Sequence, residues 1–298
     1  MNKLRQFLVY GAVLETGLDL SEYLVAGNSG RYSLELTERS GSVPRQVLEV
    51  CTPFVSSHGR DLFIYSDREF ARSKEGQPWC FEVSGVVRFC WVSGQGGIEY
   101  EALEQCTDQL LAFWLIHIFL PLYFTLEGRY EFIHACAVEV AGDSILFVAP
   151  STGGKSTLTD FFLKQGHALI SDDKVATYLE DGTYFAVPSH PNHRPYRKFE
   201  DLGYRVEGFS ATARQVDAFY ALQGVEPGAE VTISEISGHQ KFARLLPNYL
   251  YNFSFLKGQR LKYLAEMVNT VPIYRVEVPW DLKRLEEVHD VIFEHRQG

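Results

Sequence analysis

With 298 residues, 38 acidic against 28 basic side chains and a net charge of −10, the chain has room for one large domain or two and lacks the basic stripe that a nucleic-acid partner requires. Its hydrophobic share of 46% is ample for a packed core. Five cysteines, an odd number with no C-x-x-C spacing, argue against a disulfide framework or a zinc site and for a reducing, cytoplasmic compartment.

Met1 to Leu20 contains Arg5, Glu15 and Asp19 and no long apolar core, so it does not read as a signal peptide. Residues 1 to about 105 form a β-rich region. Phe7–Leu14, Tyr32–Leu36, Leu62–Tyr65 and Trp79–Val92 carry β-branched and aromatic residues between Gly, Ser and Asp breaks. No chemical motif stands out there; a substrate-recognition role is open to it, but no residue pattern shows one. Tyr100–Phe124 reads as a helix stopped near Pro121. Its apolar part, Leu110–Phe124, is about five residues short of a membrane span and contains His117, so a buried helix and no membrane partner are expected. A second domain is expected over 106–298.

Phe132–Val140 reads as a strand, Gly142-Asp143 as a hairpin turn, and Ser144–Ala149 as a buried parallel strand. The turn Pro150–Gly154 leads into Gly-Lys-Ser and a helix whose Leu158, Phe161 and Phe162 share one face, with Gly166 as its C-cap. Strand, glycine-bearing loop, Gly-Lys-Ser and helix are the context of a phosphate-binding P-loop. Successive backbone amides turn around the anion and the helix N-terminus adds its dipole. Ser151, Thr152, Gly153, Gly154, Lys155, Ser156 and Thr157 are therefore candidate nucleotide contacts, with Lys155 on the β/γ-phosphates and Ser156 on Mg²⁺. Ala149 stands where the motif usually begins with Gly, which is harmless if that residue keeps a negative φ.

Ala168–Ser171 is a short strand ending in Asp172-Asp173. Acids at the carboxyl end of a strand face the ligand crevice of an open α/β sheet. One suits Mg²⁺ and the other a proton from an attacking hydroxyl. Tyr178–Val187 reads as a hairpin turning at Asp181-Gly182. The following P-S-H-P-N-H-R-P-Y-R-K is an ordered loop with Arg194, Arg197 and Lys198, where the arginines are candidates to brace a transferring phosphoryl group. His190 and His193 are weak metal ligands, since no carboxylate accompanies them in the loop. Ala218–Leu222 and Ile273–Val278 read as strands, and Ile233–Tyr249, Gln259–Val268 and Asp281–His295 as helices.

Three pieces in order carry a family resemblance: I-H-A-C-A-V-E-V, then A-P-S-T-G-G-K-S-T, then G-H-A-L-I-S-D-D-K-V. From about Phe132 onward the chain resembles the HPr kinase/phosphorylase superfamily, which is related to phosphoenolpyruvate carboxykinases. Residues 1 to 130 look like the β-rich leader of HPr-kinase-like proteins of ribosomal peptide clusters, such as lasso-peptide kinases. The resemblance implies an α/β fold with a mixed sheet and a P-loop, Gly153–Thr157 on the phosphates, Ser156 on Mg²⁺, Asp172 as base with His134 beside it, and Asp173 as a metal or structural partner. It also raises homo-oligomerisation, on which the residues themselves are silent. The family's E-I-R-G-L-G stretch is missing, which argues against HPr as substrate and against a phosphorylase activity. The resulting expectation is an ATP- and Mg²⁺-dependent kinase acting on a hydroxyl, a serine of a peptide, with a ribosomally made natural-product peptide as one candidate. A free amino acid or sugar as acceptor, and a non-catalytic nucleotide sensor, are the alternatives.

Overall fold

The computed structural model describes residues 4–39, 49–50, 57–150, 152–195 and 198–297. Its contacts divide the chain into two units, Met1–Arg129 with Tyr196–Gly203, and Tyr130–Pro195 with Tyr204–Gly298.

The first unit is built on β1 (Arg5–Val9), β2 (Ala12–Thr16), β3 (Val25–Ala26), β4 (Tyr32–Glu38), β5 (Glu49–Val50), β6 (Leu62–Ser66), β7 (Pro78–Val83), β8 (Val87–Val92) and β9 (Gly97–Ala102). Among the described residues these form one sheet in the order β3-β1-β2-β4-β9-β8-β7-β6-β5. Alternation sets the faces. In β6, Leu62, Ile64 and Ser66 are buried while Phe63 and Tyr65 are half-buried. A helical rod then runs through α1 (Asp108–Phe113), a π-helical segment Trp114–Phe119 and α2 (Leu120–Leu126). Thr107 caps it by accepting from the Leu110 amide at 3.2 Å.

The structure departs from the sequence reading at several points. The helix is not stopped by Pro121, because the π-helical turns ahead of it shift the hydrogen-bond register around a residue without an N–H. The helix belongs to the first unit and not to the second, since Phe119 stacks on Phe89 at 4.4 Å and meets the Trp91 ring edge-on at 5.4 Å. Its span is long and apolar enough to cross a membrane, and 89% of its apolar window is buried inside the protein. Cys80 and Cys90 face each other across β7 and β8 and form a disulfide, so the expectation of reduced thiols fails for this pair. Cross-strand register, which spacing along the chain does not reveal, brings them together.

The second unit contains β10 (Glu131–Ile133), β11 (Cys136–Val140), β12 (Asp143–Val148), α3 (Lys155–Lys164), β13 (Ala168–Ser171), β14 (Val175–Glu180), β15 (Thr183–Val187), β16 (Asn192–His193), β17 (Tyr204–Arg205), β18 (Arg214–Val225), β19 (Thr232–Glu235), α4 (His239–Leu245), α5 (Lys257–Thr270), β20 (Ile273–Pro279) and α6 (Leu285–Gln297). The main sheet runs β10-β14-β15-β18-β12-β11-β13, with β20 against β18 and β19. It is mixed: β12, β18 and β20 are parallel neighbours, whereas β11 is antiparallel to both β12 and β13.

The sheet is covered on both faces, as the period of β12 dictates. Ile145 and Phe147 join a core with Leu158 and Phe162 of α3 and Val288 and Ile292 of α6. Leu146 and Val148 join the opposite core with Leu264 and Met267 of α5. Ala141-Gly142 and Asp181-Gly182 all have positive φ, the left-handed pair that a tight hairpin requires. The strand expected over Phe132–Val140 is broken at His134-Ala135, and the helix expected from Ile233 gives way to β19, because Ile233 pairs with Val276 of β20.

Phe162 is fully buried, with its ring 5.1 Å from Phe147 and 4.6 Å from His289. Phe162→Ala is expected to destabilise the second unit by about 3–5 kcal/mol. A lowered midpoint in chemical denaturation is the readout.

Candidate functional site

Sheet register explains why two segments far apart in sequence meet. Phe147 pairs with Cys136, and Ala137 pairs with Ser171. With antiparallel β11 between them, β12 and β13 run the same way. The turn after Val148 and the acids after Ser171 therefore leave the sheet at the same edge.

The turn after β12 begins with Ala149, which is outside the positive-φ set, as the missing first glycine requires. Thr152 has φ 64° and Gly154 has φ 86°, so the loop reverses sharply before α3. A Cβ on Gly153 would lie 2.7 Å from the Ala149 Cβ and 2.9 Å from the Pro150 carbonyl oxygen, so only glycine fits this fold-back. Gly154 caps α3 without a side chain, and the first-turn amides of a helix have no intrahelical acceptor. Lys155 is buried, and its Nζ donates to the Ala149 carbonyl at 2.8 Å across the base of the loop. Ser156 follows in the first turn, half-buried, and Thr157 is exposed. Ser151 lies outside the described residues.

The acid pair divides sharply. Asp172 is buried, and three donors surround it. The Arg194 amide donates to Oδ2 at 2.8 Å, the Cys136 thiol donates to Oδ1 at 3.1 Å, and His193 Nδ1 lies 3.0 Å from Oδ2 as an ion-pair contact off the line of a hydrogen bond. Burial pushes the Asp172 carboxyl up, but the close contact and charge of His193, with the Arg194 amide, hold it below the ordinary carboxylate value. Cys136 is pushed well up, first by burial and then by the Asp172 charge, so it stays a thiol.

Asp173 is half-buried, with 23% of its side chain exposed. Its φ of 66° turns its carbonyl and its carboxylate toward the same ring: His134 Nδ1 is 3.1 Å from the carbonyl oxygen and 3.2 Å from Oδ1. Asp is one of the few residues that tolerate this conformation. His134 is held in turn by its amide, which donates to the Asn248 carbonyl at 2.6 Å. The turn is closed by the Lys174 amide on the Asp172 carbonyl and by the Ser171 hydroxyl on the Lys174 carbonyl.

Of the other residues singled out from sequence, Arg194 joins the group through its amide, and Arg197 lies outside the described residues. Sequence reasoning misses four members. Cys136 and His193 hold Asp172. Lys174 follows the acid pair; burial lowers its ammonium to about 8, against the pull of Asp173. Tyr251, at φ 55°, lies 6.0 Å from Lys174 Nζ at its ring centroid, and its hydroxyl is buried without a hydrogen-bond partner. His190 is also buried, its Nε2 has no partner, and burial lowers it to about 4, so it is neutral at ordinary pH. The available signals were the placement of Cys136 two residues after His134, and of Lys174 directly after the acids. Among the described residues no group of three or more His, Cys, Asp or Glu side chains is arranged to hold a metal ion.

Removing the charge of Asp172 leaves His193 and the Arg194 amide without their anion. Asp172→Asn is expected to cost about 3–5 kcal/mol, as breaking a buried ion pair does. The sign with pH follows from the lowered Asp172 carboxyl: its contribution is present above the ordinary carboxylate value and is lost as pH falls through the lower folded value. Wild type should lose stability in acid, and the variant should lose less over that range, in denaturation curves recorded across pH.

No family model matches the chain, and no curated protein matches it. Among solved structures it is similar to the HPr(Ser) kinase/phosphatase from Coxiella burnetii, at 12% identity over 56% of this chain and 99% of that one, with a TM-score of 0.32. A likeness of that strength leaves the chemistry of the site to be read from its own residues.

Proposed function

We propose that the second unit binds ATP with Mg²⁺ and transfers the γ-phosphoryl group to a hydroxyl. The supporting observation is one juxtaposition. A glycine loop that admits no Cβ at Gly153 opens α3 with Lys155 at its base, and the Asp172-Asp173 pair leaves the same sheet edge. The loop amides, the helix N-terminus and Lys155 suit a chain of phosphates. Mg²⁺ would be held by the Ser156 hydroxyl together with phosphate and water oxygens, which fits an ion that does not require an all-protein cage. Bound there, it would neutralise charge on the phosphates.

Burial favours a division of labour between the acids that differs from the sequence expectation. Asp172, enclosed by donors and lowered in basicity, is a poor proton acceptor and acts as an anchor. Asp173 is the open carboxylate and takes the proton, with His134 orienting it. In the reaction the acceptor O–H loses its proton to Asp173, the oxygen bonds to the γ-phosphorus, and the bond from that phosphorus to the bridging oxygen of ADP breaks. Arg194 is a candidate to brace the moving group, and so is Arg197. A peptide serine is the acceptor to test first, with free amino acids and sugars as the alternatives. Residues of the first unit are candidates for recognising it.

Lys155→Ala should weaken MgATP binding severely in calorimetric titration. It also strips the Ala149 carbonyl of its donor, at a cost of about 1–3 kcal/mol, so the variant must be shown folded. Unchanged affinity would remove the nucleotide assignment.

Asp173→Asn should lower turnover by about 10²–10⁴-fold with ATP affinity largely kept, the usual worth of a general base. The assay is transfer of labelled phosphate from ATP to a panel of hydroxyl acceptors across a Mg²⁺ series. If activity returns at high Mg²⁺, the residue serves the metal and the base assignment fails.

A further inference from the structure

We propose that His167 and His289 form an acid-sensitive latch, which fastens α6 to the turn between α3 and β13 while their rings share one hydrogen and releases it when a second is added. The latch lies within the second unit and is independent of the nucleotide reading.

His167 follows Gly166 in that turn and is half-buried, and His289 is buried on α6. Their Nε2 atoms lie 3.1 Å apart. A neutral imidazole has one N–H and one bare nitrogen. Two ring nitrogens at this distance are therefore joined by one hydrogen, donated by one ring and accepted by the other. The far side of His289 sets the direction. Its Nδ1 lies 2.9 Å from Asp290 Oδ1. An ionised carboxylate only accepts, so Nδ1 carries the hydrogen and the neutral ring presents a bare Nε2. His167 is then the donor. The order His167 to His289 to Asp290 satisfies each ring nitrogen along the chain.

The surroundings oppose extra charge. The His289 ring lies 4.6 Å from Phe162 and 5.8 Å from Phe161, and it stacks on Phe293 at 5.8 Å and 10°. The His167 ring lies 5.1 Å from Phe162 and 5.6 Å from Phe293. Apolar walls penalise a charged imidazole. Burial first, and then the charge of His289, lower His167 below the ordinary histidine value, against the Glu139 carbonyl, which favours its charged form. The charged side chains on adjoining elements are engaged with one another: Glu139 of β11 with Arg214 of β18, and Asp160 with Lys164 on α3. Asp290 is the anion at the chain itself.

The latch sits at the margin of the core that α3 and α6 share through Leu158, Phe162, Val288 and Ile292. A second hydrogen at the Nε2 contact would set two N–H groups head to head and place like charges on both rings, so a bond becomes a repulsion. The two helices then keep their apolar contacts and lose the polar tie. Because the folded His167 value is lowered, its contribution is present above the ordinary histidine pKa of about 6.5 and is lost as pH falls through the lower folded value.

Two measurements test this. ¹⁵N-histidine NMR of the wild type at about pH 7.5 should show His289 protonated at Nδ1 and bare at Nε2, with His167 protonated at Nε2. The signals are assigned through ring-to-backbone correlations, so this result stands whether or not a variant folds. Any other state of His289 overturns the proposal. Chemical denaturation at about pH 7.5 and about pH 5 compares wild type with His167→Gln, whose amide keeps a donor for His289 and does not titrate. Between those values the wild-type unfolding constant should rise about tenfold to thirtyfold more than the variant's, the upper figure being the limit for a histidine of ordinary pKa about 6.5 that stays uncharged while folded. Taking the difference removes the acid responses that both proteins share, those of Asp172 and His190. Equal changes in the two proteins, with both folded at about pH 7.5, overturn the latch.

Discussion

Everything at the candidate site follows from one buried negative charge. An isolated carboxylate removed from water costs several kcal/mol even after the protein relaxes, so Asp172 is tolerable only with donors fixed around it. The groups around it come from two separate segments: Cys136 from β11, and the adjacent His193 and Arg194 from the loop after β15. Each segment is held in place by the need to supply its donor. This accounts for the order of a stretch with three prolines that forms only two residues of strand.

The second constraint is steric. α3 must begin immediately after a fold-back in which Gly153 nearly touches Ala149. The same fold-back carries the Ala149 carbonyl to Lys155, so the lysine stem is buried along the loop it closes. The helix is then fixed from below by Phe162 against Phe147, and at its first turn by His193 on the Ser156 carbonyl. Packing and a hydrogen bond thus act on the same ten-residue helix from opposite ends.

How much of this is legible in the sequence depends on the range of the interaction. Local signals read well. Asp181-Gly182 forms the hairpin turn expected of it, Gly166 takes φ 93° after α3, and the apolar face of Leu158 and Phe162 is the face that packs. The meeting of the glycine loop with the acid pair also follows from strand order. What fails is tertiary. Ile233 looks like a helix start because Ile236 and Leu245 lie at a compatible spacing, yet pairing with Val276 makes it a strand. Pro121 reads as a stop because nothing local announces the π-helical turns that bypass it. Cys80 and Cys90 are brought together only by register. His193 looked idle as a metal ligand because its carboxylate partner is Asp172, from a different strand.

The two adjacent acids show how backbone conformation gives identical side chains different surroundings. Along a strand, successive side chains point to opposite faces, so Asp172 and Asp173 leaving β13 are separated by default. Asp172 goes inward, where Cys136 and the following loop enclose it. Asp173 takes the left-handed region instead of continuing the strand, which brings its carboxylate beside His134 and keeps it in contact with solvent. The strain of that conformation is of order 1 kcal/mol or more, and the turn hydrogen bonds from the Lys174 amide and the Ser171 hydroxyl offset it. A carboxylate whose basicity is suppressed by fixed donors cannot readily accept another proton, whereas one that keeps contact with water can. The pair therefore needs no difference in residue type to divide into an enclosed carboxylate and a half-exposed one: a single φ angle and the donors around one of them are sufficient.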